Sequence, residues 1–347
     1  MSLFFGSDAM GGVIEILPPT VPADDGIWGD ALLTYKSNND LYGTSVVVTA
    51  EKGAWFLRGR ATLQSYADYR LPADRVTYLT WQLPLHDRRM KNTAGREQNL
   101  SLSANYDNGR ISSWLHASNI AAKNGFFPGA HGVPSLSRLE PDGDVRNMEM
   151  PFSTSNHFKL ISNNEISLSR ATMQVDLGYQ RNHREERSPF HTHYGTQQSP
   201  TVDPDLELQF LLDTYSTHLR LKLDEEKRWR KTIGLAGEYQ HNRVGGYSFL
   251  LPDFDRWTAG AYWLNEWVLS KTLSLTGGLR YDVGILSVEG YYYPLLADYL
   301  RLQQQGEEQV AFYAQRAEAL KRQFGDWSGA VGFTFRPDDR QTIKMNI

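Results

Sequence analysis

The chain of 347 residues has no cysteine, no long apolar run and no strong net charge. The missing cysteines exclude a disulfide framework and thiolate metal sites. No run of about 18 apolar residues occurs, so a β-barrel is the only way in which this sequence could cross a bilayer. The net charge of -4 offers no general attraction for nucleic acid. The start, Met1 to Gly6, lacks the basic and apolar parts of a secretory signal.

The sequence instead has runs of alternating apolar and polar residues, most clearly between Leu211 and Tyr239. Apolar residues occupy alternate positions of the first run: Tyr215, Leu219, Leu221 and Leu223. The positions between them are polar: Ser216, His218, Arg220 and Lys222. Successive side chains of a strand project to opposite faces, so this stretch predicts a hairpin with one apolar and one polar face. Either the apolar face packs on a second sheet, or it meets lipid around a polar lumen.

Strands are predicted along the chain from residue 29 onwards. They cover residues 29–37, 42–51, 54–67, 96–106, 110–120, 155–168, 171–184, 209–224, 230–245, 256–269, 272–284, 325–337 and 341–347. Between residues 295 and 324 the spacing of apolar residues, including Leu320 with Lys321 and Arg322 beside it, predicts one or two short helices instead. These helices could form a lid or a plain loop insertion.

The lengths of the connections alternate. Every second connection is short and rich in turn residues, as at Asp107-Asn108-Gly109, whereas long ones follow the third, fifth, seventh and eleventh strands. Outer-membrane barrels separate short turns from long loops in this way. The pattern therefore favours an all-β fold, a transmembrane antiparallel β-barrel. Several aromatic residues near strand ends fit either an interfacial girdle or any β-sheet: Trp55, Tyr106, Trp257, Tyr262, Trp263, Trp267 and Trp327.

A glycine-rich motif precedes the strands. Residues Gly6 to Ile16 read Gly-Ser-Asp-Ala-Met-Gly-Gly-Val-Ile-Glu-Ile, which alone predicts a turn and a short strand. This order resembles the last plug strand of TonB-dependent outer-membrane receptors, with Gly6, Ser7, Asp8, Ala9, Gly11 and Gly12 at the matching positions. The resemblance implies that residues 1–17 end a plug domain, 18–28 form a linker, and 29–347 form part of a barrel with long extracellular loops.

The same resemblance implies a function. Members of this family have a plug inside a barrel of 22 strands and import a scarce nutrient across the bacterial outer membrane with energy from the TonB complex. About 13 strands are predicted here, so the chain is expected to be a fragment that lacks the TonB-contacting box, and its partners would be outer-membrane lipid, TonB and the nutrient. An iron chelate, siderophore or haem, is the first expectation. Cobalamin, an oligosaccharide, or a plugless porin-like or adhesin barrel are the alternatives.

Candidate ligand-binding residues lie in the long connections. Phe126, Phe127 and His131 form an aromatic loop tip, and His191, His193 and Tyr194 place two imidazoles on one side of an extended segment. Loop packing and solvated loops explain the same residues. Basic residues at Arg88, Arg89, Lys91 and Arg96 could attract an anionic chelate. No catalytic motif is readable, so neither an enzyme activity, a resident metal nor a cofactor is predicted.

Overall fold

The computed structural model describes Leu3, Gly6 and residues 24–78, 80–128, 140, 142–192, 198–226, 228–338 and 340–346. Within these residues the main feature is one antiparallel sheet of 13 strands. Its strands follow one another in chain order: β1 (Gly26–Lys36), β2 (Leu41–Lys52), β3 (Trp55–Tyr66), β6 (Gly95–Asp107), β7 (Ile111–Gly125), β8 (Phe152–Ser167), β9 (Ala171–Arg187), β10 (Leu206–Glu226), β11 (Trp229–Gly245), β12 (Phe254–Val268), β13 (Leu273–Val288), β16 (Leu320–Asp338) and β17 (Gln341–Asn346).

Smaller elements lie in the long connections. Two short strand pairs form there: β4 (Arg75–Tyr78) with β5 (Trp81–Pro84), and β14 (Tyr291–Tyr292) with β15 (Gln315–Ala317). Helices α1 (Pro294–Leu302) and α2 (Glu307–Ala314) lie between β14 and β15, and a 3-10 turn covers His86–Arg88. None of the helices among the described residues is long and apolar enough to cross a membrane.

All the strands that the sequence predicts are present in the large sheet, with shifts of a few residues at their ends. The four short strands β4, β5, β14 and β15 were not predicted. The predicted helical segment was too long, because Leu320, Lys321 and Arg322 belong to β16. These three residues pair in register with β13, and this long-range pairing prevails over a local helical spacing. The sheet is not closed among the described residues, since β1 and β17 each pair with one strand only.

The two ends of the sheet differ in their connections. At one end, named here the turn end, the strands are joined by tight turns such as residues 108–110, where Asn108 Oδ1 accepts the N–H groups of Arg110 and Ile111. Gly109 has φ +80° there, a left-handed conformation that glycine adopts without strain. At the other end, the loop end, are the described parts of four longer connections: residues 67–94, 126–151, 188–205 and 289–319. The predicted separation of short and long connections is therefore present.

Burial in the sheet is the reverse of that in a water-soluble protein. Leu279 is 53% exposed, whereas the next residue, Arg280, is only 4% exposed. The same inversion holds for exposed Trp263 beside buried Tyr262. Side chains on the polar face crowd one another, while leucines and tryptophans project freely from the apolar face. Water would disfavour this arrangement, because exposed apolar surface costs free energy.

Aromatic side chains form two rows on the apolar face. Near the loop end, Tyr179, Tyr215, Tyr239 and Trp257 occupy matching register positions on four neighbouring strands. Near the turn end, Trp229 and Trp267 have ring centroids 6.1 Å apart. Ten residues separate Trp257 from Trp267 on β12; at about 3.3 Å per residue and a tilt of about 40°, the rows are roughly 25 Å apart, the height of an outer-membrane apolar band.

The loop-end row is followed by a row of charged groups. Tyr179 Oη donates to Asp213 Oδ1 at 2.7 Å, and Tyr239 Oη donates to Asp255 Oδ1 at 2.6 Å. The hydroxyls of these tyrosines thus point towards the charged groups at the loop end, and their rings lie on the side of the apolar band. Tyrosines at a membrane interface have the same orientation. Tyr262, which the sequence suggested as a girdle residue, does not belong to either row because it is buried on the polar face.

The inverted burial generates a prediction at Leu235, which is exposed on the apolar face about midway between the two rows. Leu235→Arg should lower the free energy of unfolding in lipid vesicles by about 2–4 kcal/mol, because a cation would enter the apolar band. Urea titration followed by tryptophan fluorescence measures this. Leu250→Arg, in the connection after β11, is the control and should change little. An equal effect of both substitutions would contradict a lipid-facing wall.

Candidate functional site

The polar face contains an open cavity of about 970 Å³. Its lining includes six ionisable side chains from β9 to β13: Asp176, His218, Glu238, Arg256, Arg280 and Asp282. Both charge signs are present, so the cavity suits a polar occupant better than an apolar one. No site was predicted here from the sequence, where His218 was named only as a polar position of a strand.

Hydrogen bonds fix the side chains on the polar face. Arg220 NH2 donates to Asp176 Oδ2 at 2.8 Å, which joins β10 to β9. Tyr262 Oη and His218 Nε2 are 2.9 Å apart, although β11 lies between their strands. The tyrosine ring passes directly over Gly234 of β11, where a Cβ atom would lie 2.1 Å from the ring. Glycine at 234 is therefore required for this contact.

Arg280 connects the polar face to the N-terminal segment. Its guanidinium is held by Asp282, with Nε donating to Oδ2 at 2.7 Å, and lies over the ring of Tyr262. NH1 donates to the backbone carbonyl of Leu3 at 3.3 Å, and Leu3 is itself buried. Gly6 has φ +88°, and a Cβ there would lie 3.0 Å from Arg280 NH2. The first glycine of the motif therefore approaches the polar face where a side chain would not fit easily.

The rest of the motif lies outside the described residues, including Ser7, Asp8, Ala9, Gly11 and Gly12. The plug domain and the linker thus remain predictions. What is described of residues 1–17 is Leu3 and Gly6, and Arg280 contacts both of them.

At the loop end, Asp40 joins two connections. The residue follows β1, and its carboxylate accepts hydrogen bonds from Arg89 and Arg70 in residues 67–94. The Arg89 side chain is 8% exposed, so its charge needs this partner. Hydrogen bonding by Arg89 holds the pKa of Asp40 below its ordinary value. Asp40 is therefore ionised at neutral pH and stabilises the cluster.

Asp68 organises the base of the same connection. One of its oxygens, Oδ1, accepts the backbone N–H groups of Thr93 at 2.7 Å and Ala94 at 2.9 Å. Its own N–H donates to the carbonyl of Val145, which lies in residues 126–151. Burial raises the pKa of the Asp68 carboxyl despite these hydrogen bonds. The two longest described connections of the first half of the chain are thus fastened together.

The aromatic loop tip predicted at Phe126, Phe127 and His131 begins at the base of its connection. Phe126 is the first residue after β7, and its N–H donates to the carbonyl of Pro151 at 2.9 Å. Asn92 Nδ2 donates to the carbonyls of Phe126 and Pro151, both at 2.8 Å. Phe126 therefore lies at the base of the connection and not at its tip, while its role in ligand binding remains a prediction. Phe127 is next along the chain, and His131 lies outside the described residues.

His191 belongs to a packed cluster of the connection after β9. Its Nδ1 lies 3.2 Å from Tyr247 Oη, and Glu207 Oε1 lies 3.8 Å from Nε2. Burial raises the pKa of the Tyr247 phenol, which therefore stays protonated and also contacts the carbonyl of Pro189. No group of three or more metal-binding side chains occurs among the residues that the structure describes. His193 and Tyr194 lie outside them, so the histidine pair remains a prediction.

The basic residues predicted near an anionic chelate are separated by the fold. Arg89 is buried against Asp40, and Lys91 Nζ lies 3.7 Å from Glu149 Oε2. Arg88 is exposed in the 3-10 turn, whereas Arg96 is the second residue of β6 and projects from the apolar face. They do not form one basic patch.

Helices α1 and α2 pack on each other through Ala297, Val310 and Ala314, all fully buried. Arg301 Nε donates to Glu307 Oε1 at 3.0 Å and joins the end of α1 to the start of α2. Tyr293 N–H donates to the carbonyl of Ala314, which joins the two ends of the helical segment. The pair is a compact unit at the loop end, and its role as a lid remains a prediction.

Comparison with solved structures identifies the fold. The chain is similar to the copper transporter OprC (TM-score 0.64, 11% identity, 95% of this chain and 45% of that chain). It is also similar to the ferric yersiniabactin uptake receptor FyuA from Yersinia pestis (TM-score 0.60, 14% identity, 100% and 50%). The FrpB iron transporter from Neisseria meningitidis matches at TM-score 0.60 and 10% identity, over 92% and 44%. This is the fold of TonB-dependent outer-membrane receptors.

The resemblance drawn from the Gly6–Ile16 motif is thereby confirmed at the level of the fold. The chain spans about half the length of the solved structures it matches. No protein-family model and no curated protein matches the sequence.

The loop-end cluster generates a prediction at Asp40. Asp40→Ala should release residues 67–94 and raise their rate of cleavage by trypsin about tenfold or more, because buried Arg89 would lose its carboxylate. Since the folded pKa of Asp40 is lowered, the unaltered protein should lose the same contact as the pH falls through that lowered value.

Asp74→Ala is the matched control for this experiment, because Asp74 is exposed in the same connection and the structure gives its side chain no ion pair among the described residues. Unchanged cleavage in Asp40→Ala would show that the carboxylate does not hold the connection.

Proposed function

We propose that the described sheet is part of the wall of an outer-membrane β-barrel. Its apolar face would meet lipid between the two aromatic rows, and its polar face would line the interior. The inverted burial of neighbours such as Leu279 and Arg280 supports this placement, together with the fold of the solved receptors. Residues 29–347 would form the wall, 18–28 the linker and 1–17 the end of a plug.

The proposed function is import of a scarce nutrient, and specifically an iron chelate such as a siderophore or haem. The observation that carries it is the iron cargo named for several structural neighbours: an iron transporter, a ferric yersiniabactin uptake receptor and a ferric-catecholate import receptor. The neighbour OprC is a copper transporter, so the fold alone does not select iron. The polar cavity beside Arg280 supports passage of a polar solute rather than an apolar one. In this proposal the TonB complex supplies the energy.

The nutrient would first meet the loop end, where six residues are proposed as ligand contacts: Phe126, Phe127, His131, His191, His193 and Tyr194. Of these, the structure describes Phe126, Phe127 and His191. His191 is supported by Tyr247, which holds the imidazole within the packed connection after β9. Such a fixed aromatic and imidazole set would suit a planar or catecholate chelate.

Growth of a deletion strain on defined iron sources tests which nutrient the protein imports. A strain without the gene should lose growth on one ferric chelate or on haem as sole iron source and should grow normally on ferrous iron, which enters through porins. The gene supplied on a plasmid should restore growth. If the strain uses every iron source as well as its parent does, the iron assignment is overturned.

The aromatic contacts are tested by the double variant Phe126→Ala/Phe127→Ala. It should bind the chelate identified by growth about tenfold more weakly, because two aromatic surfaces would be removed. Fluorescence quenching on purified protein measures the affinity. Phe335→Ala is the control, since this phenylalanine lies near the turn end of β16. Equal affinities of the double variant and the control would remove Phe126 and Phe127 from the site.

A further inference from the structure

An apolar groove with a basic rim lies on the outward side of β1, β2, β3 and β6, at the loop end. The groove has a volume of about 620 Å³, and Leu33, Tyr35, Tyr42 and Leu63 line it. Leu33 is 81% exposed and is among the most exposed large apolar side chains of the described sheet. Such a surface is unfavourable in water and favourable against an acyl chain.

Three cations lie along the rim of this groove. Arg96 lines it directly and is the register partner of Lys123 on β7. Arg146 lies over the ring of Tyr42, with its guanidinium carbon 5.3 Å from the ring centroid, and NH1 donates to Ser65 Oγ at 3.1 Å. Ser65 is in turn the register partner of Arg96. The three positive charges are therefore neighbours on one level of the wall.

Three carboxylates near this rim are paired with other cations. Glu97 also lines the groove, but it follows Arg96 along β6, so its side chain projects to the opposite face of the sheet. Asp40 binds Arg70, Glu149 lies near Lys91, and Glu185 accepts a hydrogen bond from Arg187. Throughout the described ranges, neither Arg96 nor Lys123 takes part in an ion pair with a carboxylate. Lys123 instead lies over the ring of Phe152 at 3.8 Å and donates to the carbonyl of Met148. The rim thus has an excess of positive charge.

We propose that this groove binds a phosphorylated, acylated lipid of the outer leaflet, with an acyl chain along Leu33 and Leu63 and a phosphate at Arg96, Lys123 and Arg146. The inference rests on the proposed outer-membrane location. Guanidinium groups bind phosphate through paired hydrogen bonds, and lysine adds a point charge. Tyrosines at headgroup level, here Tyr35 and Tyr42, mark the depth at which such a phosphate lies.

A second cavity extends the basic rim towards β8 and β9. It has a volume of about 360 Å³ and is lined by Arg96, Lys123, Asn156 and His183. The two cavities share Arg96 and Gln98. Sugar hydroxyls of a glycolipid headgroup would find amide and imidazole partners there. This continuity favours a lipid with a large polar headgroup, such as lipid A, over a simple phospholipid.

Binding of lipid A to the purified protein in detergent micelles tests the proposal, with native mass spectrometry as the readout. The unaltered protein should retain lipid A, and Arg96→Gln/Lys123→Gln should bind it roughly 10- to 30-fold more weakly because two phosphate partners are lost. Lipid A without its phosphates should bind the unaltered protein as weakly as lipid A binds the double variant. Inorganic phosphate at millimolar concentration should not displace the lipid.

Two control variants separate headgroup from chain. Lys231→Gln removes a half-buried cation that lies over the ring of Trp229 at the turn end of the same sheet, and it should leave lipid A binding unchanged. Leu63→Ser lies within the groove and should weaken lipid A with and without phosphates alike. Equal binding of lipid A by the unaltered protein and the double variant would overturn the proposal, as would equal binding of the two lipids by the unaltered protein.

The same preparations are assayed for binding of the iron chelate. The double variant should keep the chelate affinity of the unaltered protein, because Arg96 and Lys123 lie on the apolar face. Loss of lipid selectivity with intact chelate binding would overturn the lipid site alone. Lipid binding without any chelate binding would instead contradict the proposed cargo.

Discussion

The structure depends on a sheet whose two faces need different solvents. Arg280, Tyr262 and Asp176 are fixed by hydrogen bonds on the polar face, while the residues next to them, Leu279 and Trp263, project away from any protein contact that would bury them. A second sheet packed on the apolar face would have covered these leucines and tryptophans, but the described residues contain no such layer. In the proposed outer-membrane location, lipid would cover the apolar face in place of a second layer.

The strands follow from the sequence because a period of two is a local signal. Alternation around Leu219 and Leu235 specified both the strands and their faces, and turn residues such as Asn108 and Gly109 specified where the chain reverses. The helical spacing at Leu320 to Arg322 gave a wrong prediction for the same reason. A local pattern contains no information about the pairing of β16 with β13, which extends over sixteen positions. Tyr262 was misplaced because both faces of β12 carry aromatic residues.

The contacts within the candidate site are long-range, and this explains why the sequence did not reveal them. Asp40 and Arg89 are separated by 49 positions, and Leu3 and Arg280 by 277. Nothing in the residues around Asp40 marks it as the partner of a buried arginine. A usable signal existed only for the glycines: Gly6 in a motif and Gly234 in the middle of a strand both indicate a close approach, and each lies beneath a side chain of another element.

Hydrocarbon disfavours unpaired polar groups of the backbone as well as polar side chains. Along the outer edges of β1 and β17 the N–H and C=O groups have no strand partner in the described sheet. In water such groups bind solvent, but in hydrocarbon each unpaired group costs several kcal/mol. If the apolar face of this sheet lies in lipid, both edges must therefore pair with further strands. Closing the sheet would also enclose the polar face with Arg280, Tyr262 and His218, so the same step that satisfies the edges would turn the open cavity into an interior.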